Sequence, residues 1–350
     1  MANFDDFKLA IEAMSGGKNT VLFDDMEMPS VMVPFPKMKI AEIMTGGSQN
    51  IHPAFSVGGV EKDKIYESKF QNIVLNDRAY SLPMRDPKVY VNFDQANTYC
   101  RNKGKGWGLN PYALWSAIAL WCRKNGTMPR GNNYWGKDYS YQHEKGIPTA
   151  YEGASHESHP NEPARVATGS GPATWYHNWM PDGIADLNGN VWEWCAGMRL
   201  KDGEIQIIPY SNSLLAETNM SATSTEWKAI KADGSLVDPG TAGTLKWDWV
   251  SGKIQLTSGS ITFTTDEYHG MQYKDMSLVS GLTAPEIAKA LLFYPDEPGG
   301  DYGGDYHYMN TRGERLPFCG GGWYNGSGAG VFDVSLDSPR SNSNSRVGFR

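Results

Sequence analysis

Asp186-Leu-Asn-Gly-Asn-Val-Trp-Glu-Trp194 is the stretch on which the reading of this chain turns. Its two rings, Trp192 and Trp194, read as core anchors together with Trp107, Trp115 and Trp121. A large buried side chain stabilises a fold by roughly 1.5–3 kcal/mol or more. The other reading of such rings is an aromatic platform that stacks on sugars. Glu193, between them, reads as a carboxylate bonding the backbone N–H groups of a buried turn. The composition outward from this stretch agrees: 39 Gly, 12 Trp and 18 Tyr in 350 residues, with few long helical patterns. That combination describes a loop-rich fold pinned by large rings.

The bulk numbers set limits. A hydrophobic content of 40% in 350 residues allows a large core. Length alone permits two or three domains, but no repeat and no clear linker interrupts the chain, so a single elaborated domain is expected. The net charge is -7 and no basic stripe is present, which argues against nucleic acid as a partner. Met1-Ala-Asn-Phe-Asp-Asp6 has neither a basic nor an apolar signal region, and no apolar run reaches the roughly 18 residues of a membrane span. Cys100, Cys122, Cys195 and Cys319 are far apart and fit no zinc spacing. They are expected to be reduced and buried, with one disulfide left open.

Few helices are marked. Phe4, Phe7, Ile11 and Met14 space one short amphipathic helix, stopped at Gly16-Gly17. Asp94 is expected to cap a helix from Gln95 to about Asn102. Asn110-Pro111 opens another, with Leu114, Ile118 and Trp121 inward and a stop at Asn125-Gly126. Thr283-Ala-Pro-Glu286 matches a capping box, with Ile287 and Leu291 inward. Short strands are expected at 21–23 and 31–33, with prolines 29, 34 and 36 marking ends or edges, and a strand pair between Ile65 and Val74. Residues 127–185 read as ordered irregular structure. Residues 200–280 read as a β-rich insertion of small strands, among them Glu204–Ile207 and Ile261–Phe263. The expected architecture is therefore α+β, with a helical segment at 1–20 and one domain over 21–350. The helix and the Met/Pro-rich stretch 26–44 are candidate docking surfaces, or equally domain core.

The last 32 residues, Cys319 to Arg350, carry the sharpest pattern. Phe332, Val334 and Leu336 alternate with Asp333, Ser335 and Asp337, and Val347 alternates with Phe349 in the same way. Period two with apolar anchors argues for strands with one wet face, against a floppy Gly/Ser/Asn tail. Tyr324, Asn325, Ser327, Asp333, Ser335, Asp337, Ser338, Asn342, Asn344 and Arg346 are then expected outward. Tyr, Ser, Asn, Asp and Gly are the palette of adaptable binding surfaces. Composition alone leaves an ordinary solvated strand face equally open.

The 186–194 stretch resembles the Gly-Asn-Val-Trp-Glu-Trp signature of the formylglycine-generating-enzyme (sulfatase-modifying-factor) family. Tyr66–Asn72 and the segment from Gly106-Trp107 to Trp121 also look like that family. The ending is similar to something narrower. Gly-Gly-x-Trp, Asn-Gly-Ser-x-Ala-Gly-Val-Phe, Pro-Arg-Ser-x-Ser-x and Gly-Phe-Arg look like the target proteins of diversity-generating retroelements, phage and bacterial proteins of C-type-lectin-type fold. The resemblance spans roughly residues 20–350 and is weakest over 200–280. It implies a non-enzymatic receptor-binding protein on a phage tail tip, or held in the bacterial cytoplasm before assembly. Its ligand would be a host-surface protein or glycan, its neighbours virion components, with homo-oligomers open. Trp323, Gly330, Phe332, Arg340, Gly348 and Phe349 would be constant scaffold. Gly322, Tyr324, Gly328, Asp333, Ser335, Asp337, Ser338 and Arg346 would be varied; Gly322 and Gly328 rest on the resemblance alone.

The same residues bear on enzymatic alternatives. The family's oxidases need two close C-terminal cysteines, whereas the last third of this chain holds Cys319 alone. Iron-dependent sulfoxide synthases use histidines with a carboxylate, which His156-Glu-Ser-His159-Pro-Asn-Glu162 offers superficially, on a proline-containing loop. No cofactor is required by the favoured reading. A structural calcium ion stays open, because the family's turn before Trp-Glu-Trp can hold one; the matching positions are Asp186, Gly189, Val191 and Glu193.

Overall fold

The computed structural model of the chain describes residues 4–151 and 159–350. It is a mixed α+β architecture with few short helices and many short strands. Among the described residues no helix is long and apolar enough to cross a membrane.

The first helix, Phe4–Met14, places Asp5 and Asp6 in its first turn, where the helix dipole favours acid. It lays Phe7 and Ile11 against Val21, Val31, Phe70 and Tyr176, while Leu9 and Met14 face solvent. A three-stranded antiparallel sheet follows: Thr20–Phe23, Pro29–Pro36 and Lys64–Ser68, with Pro29–Pro36 in the middle. Pro34 lies inside that middle strand. This is tolerated because Thr20–Phe23 pairs only as far as Met32, so at Pro34 one side has no ladder to break. The strand expected to partner Lys64–Ser68 near Val74 pairs elsewhere: Ile73–Leu75 forms its own hairpin with Arg78–Tyr80. Of the candidate docking stretch 26–44, Met32, Phe35, Met38, Ile40, Ile43 and Met44 are buried, so that part is core.

The helix caps differ from expectation. Phe93–Arg101 is capped by Asn92, whose Oδ1 accepts from Gln95 N at 2.9 Å while Gln95 Oε1 accepts from Asn92 N at 3.0 Å. Asp94 therefore sits in the first turn, where its carboxylate meets Arg340 at 2.7 Å. Tyr112–Asn125 is capped by Pro111 and ends at Gly126, whose φ of 66° is left-handed. It is buried almost all round, and Trp115 Nε1 donates to Val331 O at 2.8 Å, tying it to the C-terminal segment. Glu286–Ala290 has no capping box. Glu286 instead accepts from Ser48 N and Oγ at 2.6 and 2.8 Å, pinning the N-terminal third to this turn.

Two larger sheets complete the molecule. An eight-stranded sheet takes most of the 200–280 stretch together with Met198–Lys201 and Glu314–Arg315. Its Ile205, Trp247, Ile254 and Leu256 share one hydrophobic cluster with Trp115 and Leu114. Ile261–Phe263 is not a strand: the Asp248 carboxylate holds Thr262 N, Thr262 Oγ1 and Phe263 N at 2.8–2.9 Å and fixes a turn there.

The six-stranded sheet positions the site. Its order is His269–Gln272, Tyr306–Met309, Val334–Leu336, Phe318–Cys319, Trp192–Trp194, Val347–Phe349. Met309, Val334, Leu336 and Cys319 enter the main core from one face. The register sets Tyr308 beside Ser335, Ser335 beside Phe318, and Val347 beside Trp192, so these residues share the opposite face.

Candidate functional site

That opposite face forms the floor of a pocket of about 620 Å³. Ser335, Tyr308, Phe318, Trp192 and Val347 make the floor, and Tyr324, Asn325, Asp337, Ser338, Asn342, Asn344, Ser345, Arg346 and Tyr268 line the rest. The segment 337–346 is held in a fixed order by its own side chains. Asn344 Nδ2 donates to Asn342 Oδ1 at 2.9 Å, Asn342 Nδ2 to Ser338 Oγ at 2.8 Å, and Ser338 Oγ to Asp337 Oδ1 at 2.7 Å. Asn344 Oδ1 accepts from Arg346 N at 2.8 Å. The Arg346 guanidinium lies 4.3 Å from the Tyr324 ring centroid, and Tyr324 Oη accepts from Trp192 Nε1 at 3.2 Å.

The scaffold residues brace this rim from behind. Arg340 bonds both oxygens of Glu314, the Asp94 carboxylate and Met220 O, so the loop leaving Val334–Leu336 is clamped to the protein body. Trp323 packs on Trp135 at 4.7 Å between centroids. Phe332, Phe349 and Trp194 are fully buried, and Trp192 nearly so.

Two residues expected outward are inside. Asp333 is 0% exposed and Ser335 3%. The period-two alternation is present, but its second face is roofed rather than wet: Gly321 and Ala329 close over Asp333, and the 337–346 rim rises around Ser335. Ser335 Oγ and both Asp333 carboxyl oxygens have no hydrogen-bond partner. Burial first, then the Asp305 and Asp337 carboxyls, push the Asp333 pKa well above the usual carboxylate range, which favours its neutral form under the floor. Of the others, Ser327 and Arg346 are exposed, and Tyr324, Asn325, Asp337, Ser338, Asn342 and Asn344 are half-buried along the pocket. Asn325 Oδ1 also accepts from Gly322 N at 2.9 Å. A Cβ at Gly322 would lie 3.2 Å from the Trp192 ring, and one at Gly328 3.2 Å from Tyr306, so both glycines adjoin the rings of this face. Tyr268, Tyr308 and Phe318 were missed as site residues; the alternation Tyr306-His-Tyr308-Met is the signal that could have found Tyr308.

Beneath the same sheet lies the 186–194 turn. Gly189 has φ 78°, and a Cβ there would come within 2.2 Å of Asn132 O, so only glycine fits. The Asn190 side chain accepts from Val166 N at 2.9 Å and Asn132 Nδ2 at 3.1 Å, and donates to Val166 O at 3.1 Å and Gln71 Oε1 at 2.8 Å. The signature asparagine is thus a four-way knot between three loops.

The profile of the Sulfatase-modifying factor enzyme 1-like domain matches residues 18–220. The chain belongs to this family. No curated protein matches the chain. The match contains the turn and the strand Trp192–Trp194, while the other five strands of the pocket-bearing sheet lie beyond it.

Family membership makes the cation question concrete, and the residues present do not fit calcium. Asp186 O, Gly189 O, Val191 O and Glu193 Oε1 do converge, but on Gln71 Nε2, at 3.2, 3.3, 3.2 and 3.0 Å. The orientation of that amide is dictated by its other end, which accepts from Asn190. Arg350 forms a two-pronged ion pair with Glu193 and donates to Ala185 O at 3.0 Å. The Asp186 carboxyl turns away to accept from Gly169 N at 2.7 Å, and burial lifts its pKa to about 6. An amide and a guanidinium therefore serve the oxygens that would ligate a metal.

The cysteines are buried and free. Cys195 and Cys319, remote in sequence, are hydrogen-bonded to each other, and burial raises both thiols. His159 bonds Glu162 at 3.2 Å and stacks on Trp135 at 4.7 Å. His156 lies outside the described residues. Among the described residues no group of three His, Cys, Asp or Glu side chains is placed to hold a metal ion.

Proposed function

We propose that the chain is a non-catalytic recognition protein that binds its ligand in the pocket on the C-terminal sheet. The observation carrying this reading is the origin of the lining. Nine of the twelve candidate binding residues named from the sequence border this one pocket: Tyr324, Asn325, Ser335, Asp337, Ser338, Asn342, Asn344 and Arg346 line it, and Gly322 adjoins its Trp192 wall. Of the remaining three, Asp333 and Gly328 are buried behind it and Ser327 is exposed outside it. Aromatic floor, polar rim and a clamped backbone are what a surface needs if its side chains are to change while its geometry holds.

The finer reading follows from the resemblance of the last 32 residues to retroelement-diversified targets of C-type-lectin-type fold. On it, the rim is rewritten between variants, the protein sits on a phage tail or its prophage equivalent, and the ligand is a host-surface protein or glycan. Multivalent display would raise a weak single-site affinity by about 10²–10⁴-fold. The test is a binding screen on intact bacterial cells and glycan arrays with wild type against Tyr324→Ala/Asn342→Ala/Arg346→Ala. Binding lost with an unchanged melting temperature supports the reading; binding retained contradicts it. A flanking reverse-transcriptase gene with a near-copy of the terminal block differing at adenines tests diversification separately.

A further inference from the structure

A second cleft, of about 280 Å³, opens between the N-terminal sheet and the segment leading into helix Tyr112–Asn125. Tyr66, Lys105 and Gly106 stand exposed at its mouth, and Trp107 is half-buried beside them. Its deepest lining residues are Glu67, Asn110, Leu114 and Arg350, all buried, and Leu22, Phe23, Met32, Ile65 and Leu214 make apolar walls.

One polar group at this floor, Asn110, has unmet capacity, and the Glu67 carboxyl lines the cleft beside it. Both side-chain atoms of Asn110, Oδ1 and Nδ2, are buried without a partner. The residue reads from sequence as a helix cap, but Pro111 takes that position and frees the amide. Glu67 is 3% exposed, and its carboxyl accepts from the Ser68 backbone. Burial, the dominant cause, lifts Glu67 to about 8, against the opposing pull of Arg350. At neutral pH it is mainly a protonated acid, able to donate as well as accept. Buried polar groups left unpaired are costly, and each calls for a partner.

The charges select the ligand class. Arg350 is balanced by Glu193 and has its donors engaged, so it offers little to an anion. Arg350 at the floor and Lys105 at the mouth both disfavour a cation. What remains is a neutral head that donates and accepts together, on an apolar body that lies along the aliphatic walls and Trp107. We propose that this cleft is a binding site for a small neutral carboxamide, distinct from the pocket on the C-terminal sheet and independent of its function.

The test titrates benzamide, with benzoate and benzylamine as charged counterparts, into the full chain while recording amide and indole chemical shifts by NMR. Benzamide is expected to bind, to shift the Trp107 indole signal and to bind at least tenfold more tightly than either charged analogue at pH 7. Its affinity is expected to fall as pH rises through about 8, where Glu67 ionises and loses its donor, and to stay flat across that range in Glu67→Gln. Asn110→Leu is expected to abolish binding. If that variant fails to fold, the pH profile of Glu67→Gln still decides. No shift with benzamide, equal binding of all three probes, or the same pH profile in Glu67→Gln would each overturn the proposal, leaving a cleft that holds water only.

Discussion

Two regions of the C-terminal sheet treat polar groups in opposite ways. In the 186–194 turn, four oxygens meet one amide nitrogen, Asn190 bonds in four directions, and Glu193 is matched by Arg350. On the far side of the sheet, Ser335 and Asp333 have no partner, and the rim residues bond chiefly to one another. The first region spends its polar atoms on holding the fold. On the proposed function, the rim of the second is what a ligand would meet. The backbone is fixed in both places, by the knot at Asn190 in the turn and at the rim by the Arg340 clamp together with the bonds among Ser338, Asn342 and Asn344.

The largest expected effect lies in the turn. Arg350→Met leaves Glu193 buried without its counter-charge and should cost about 3–5 kcal/mol in chemical denaturation; a loss below 1 kcal/mol would break the contrast. Gln71→Leu takes the amide donor from Gly189 O and Val191 O and the acceptor from Asn190 Nδ2, and should cost about 1–3 kcal/mol. With Gln71 in place, calcium or EDTA should leave the melting temperature unchanged, and a marked shift with calcium would mean that the amide yields to the ion.

Titration sharpens the comparison next. Asp186, Glu67 and Asp333 all have folded pKa values raised by burial, the first two to about 6 and about 8. A raised acid is fully stabilising below its unfolded pKa and loses that stability as pH rises through the folded one. The contribution of these three carboxyls should therefore decline between about pH 4 and pH 8, while His52 and His177, which burial lowers to about 4 and about 3, contribute the opposite trend up to their unfolded pKa. Asp333→Asn should be more stable than wild type at pH 8, with the advantage gone at pH 4; equal behaviour at both would place an ionised Asp333 in a wetter site.

The smallest stability effects belong to the rim. Asn342→Ala and Arg346→Ala should each shift stability by no more than about 0.5 kcal/mol, as surface changes usually do.

Much of this was legible in the chain. The alternation at 332–336 gave the strand and its two faces, and the Gly-Asn-Val-Trp-Glu-Trp run gave the family. Period two cannot say whether a polar face meets water or a roof, since the roof over Asp333 comes from Gly321 and Ala329, set by turns elsewhere in the sequence. Gln71 was invisible for a related reason: nothing local marks a glutamine whose partners lie more than a hundred residues away. The cap at Asn92 was misplaced by two residues because Asp94 is an equally good local candidate, and the reciprocal bonds of Asn92 with Gln95 start the helix at Phe93 and leave Asp94 to Arg340.

The central claim is that the pocket rim serves a ligand and not the fold, and one quadruple variant tests it most directly. Tyr324→Ser, Asp337→Tyr, Asn344→Asp and Arg346→Tyr replaces the rim chemistry while sparing Arg340, Trp323 and Phe332. Its melting temperature and its binding profile on cells and glycan arrays would be measured beside wild type. The account predicts an unchanged melt with a lost or altered binding profile. A collapsed melt, or an unchanged profile on a folded protein, would contradict it.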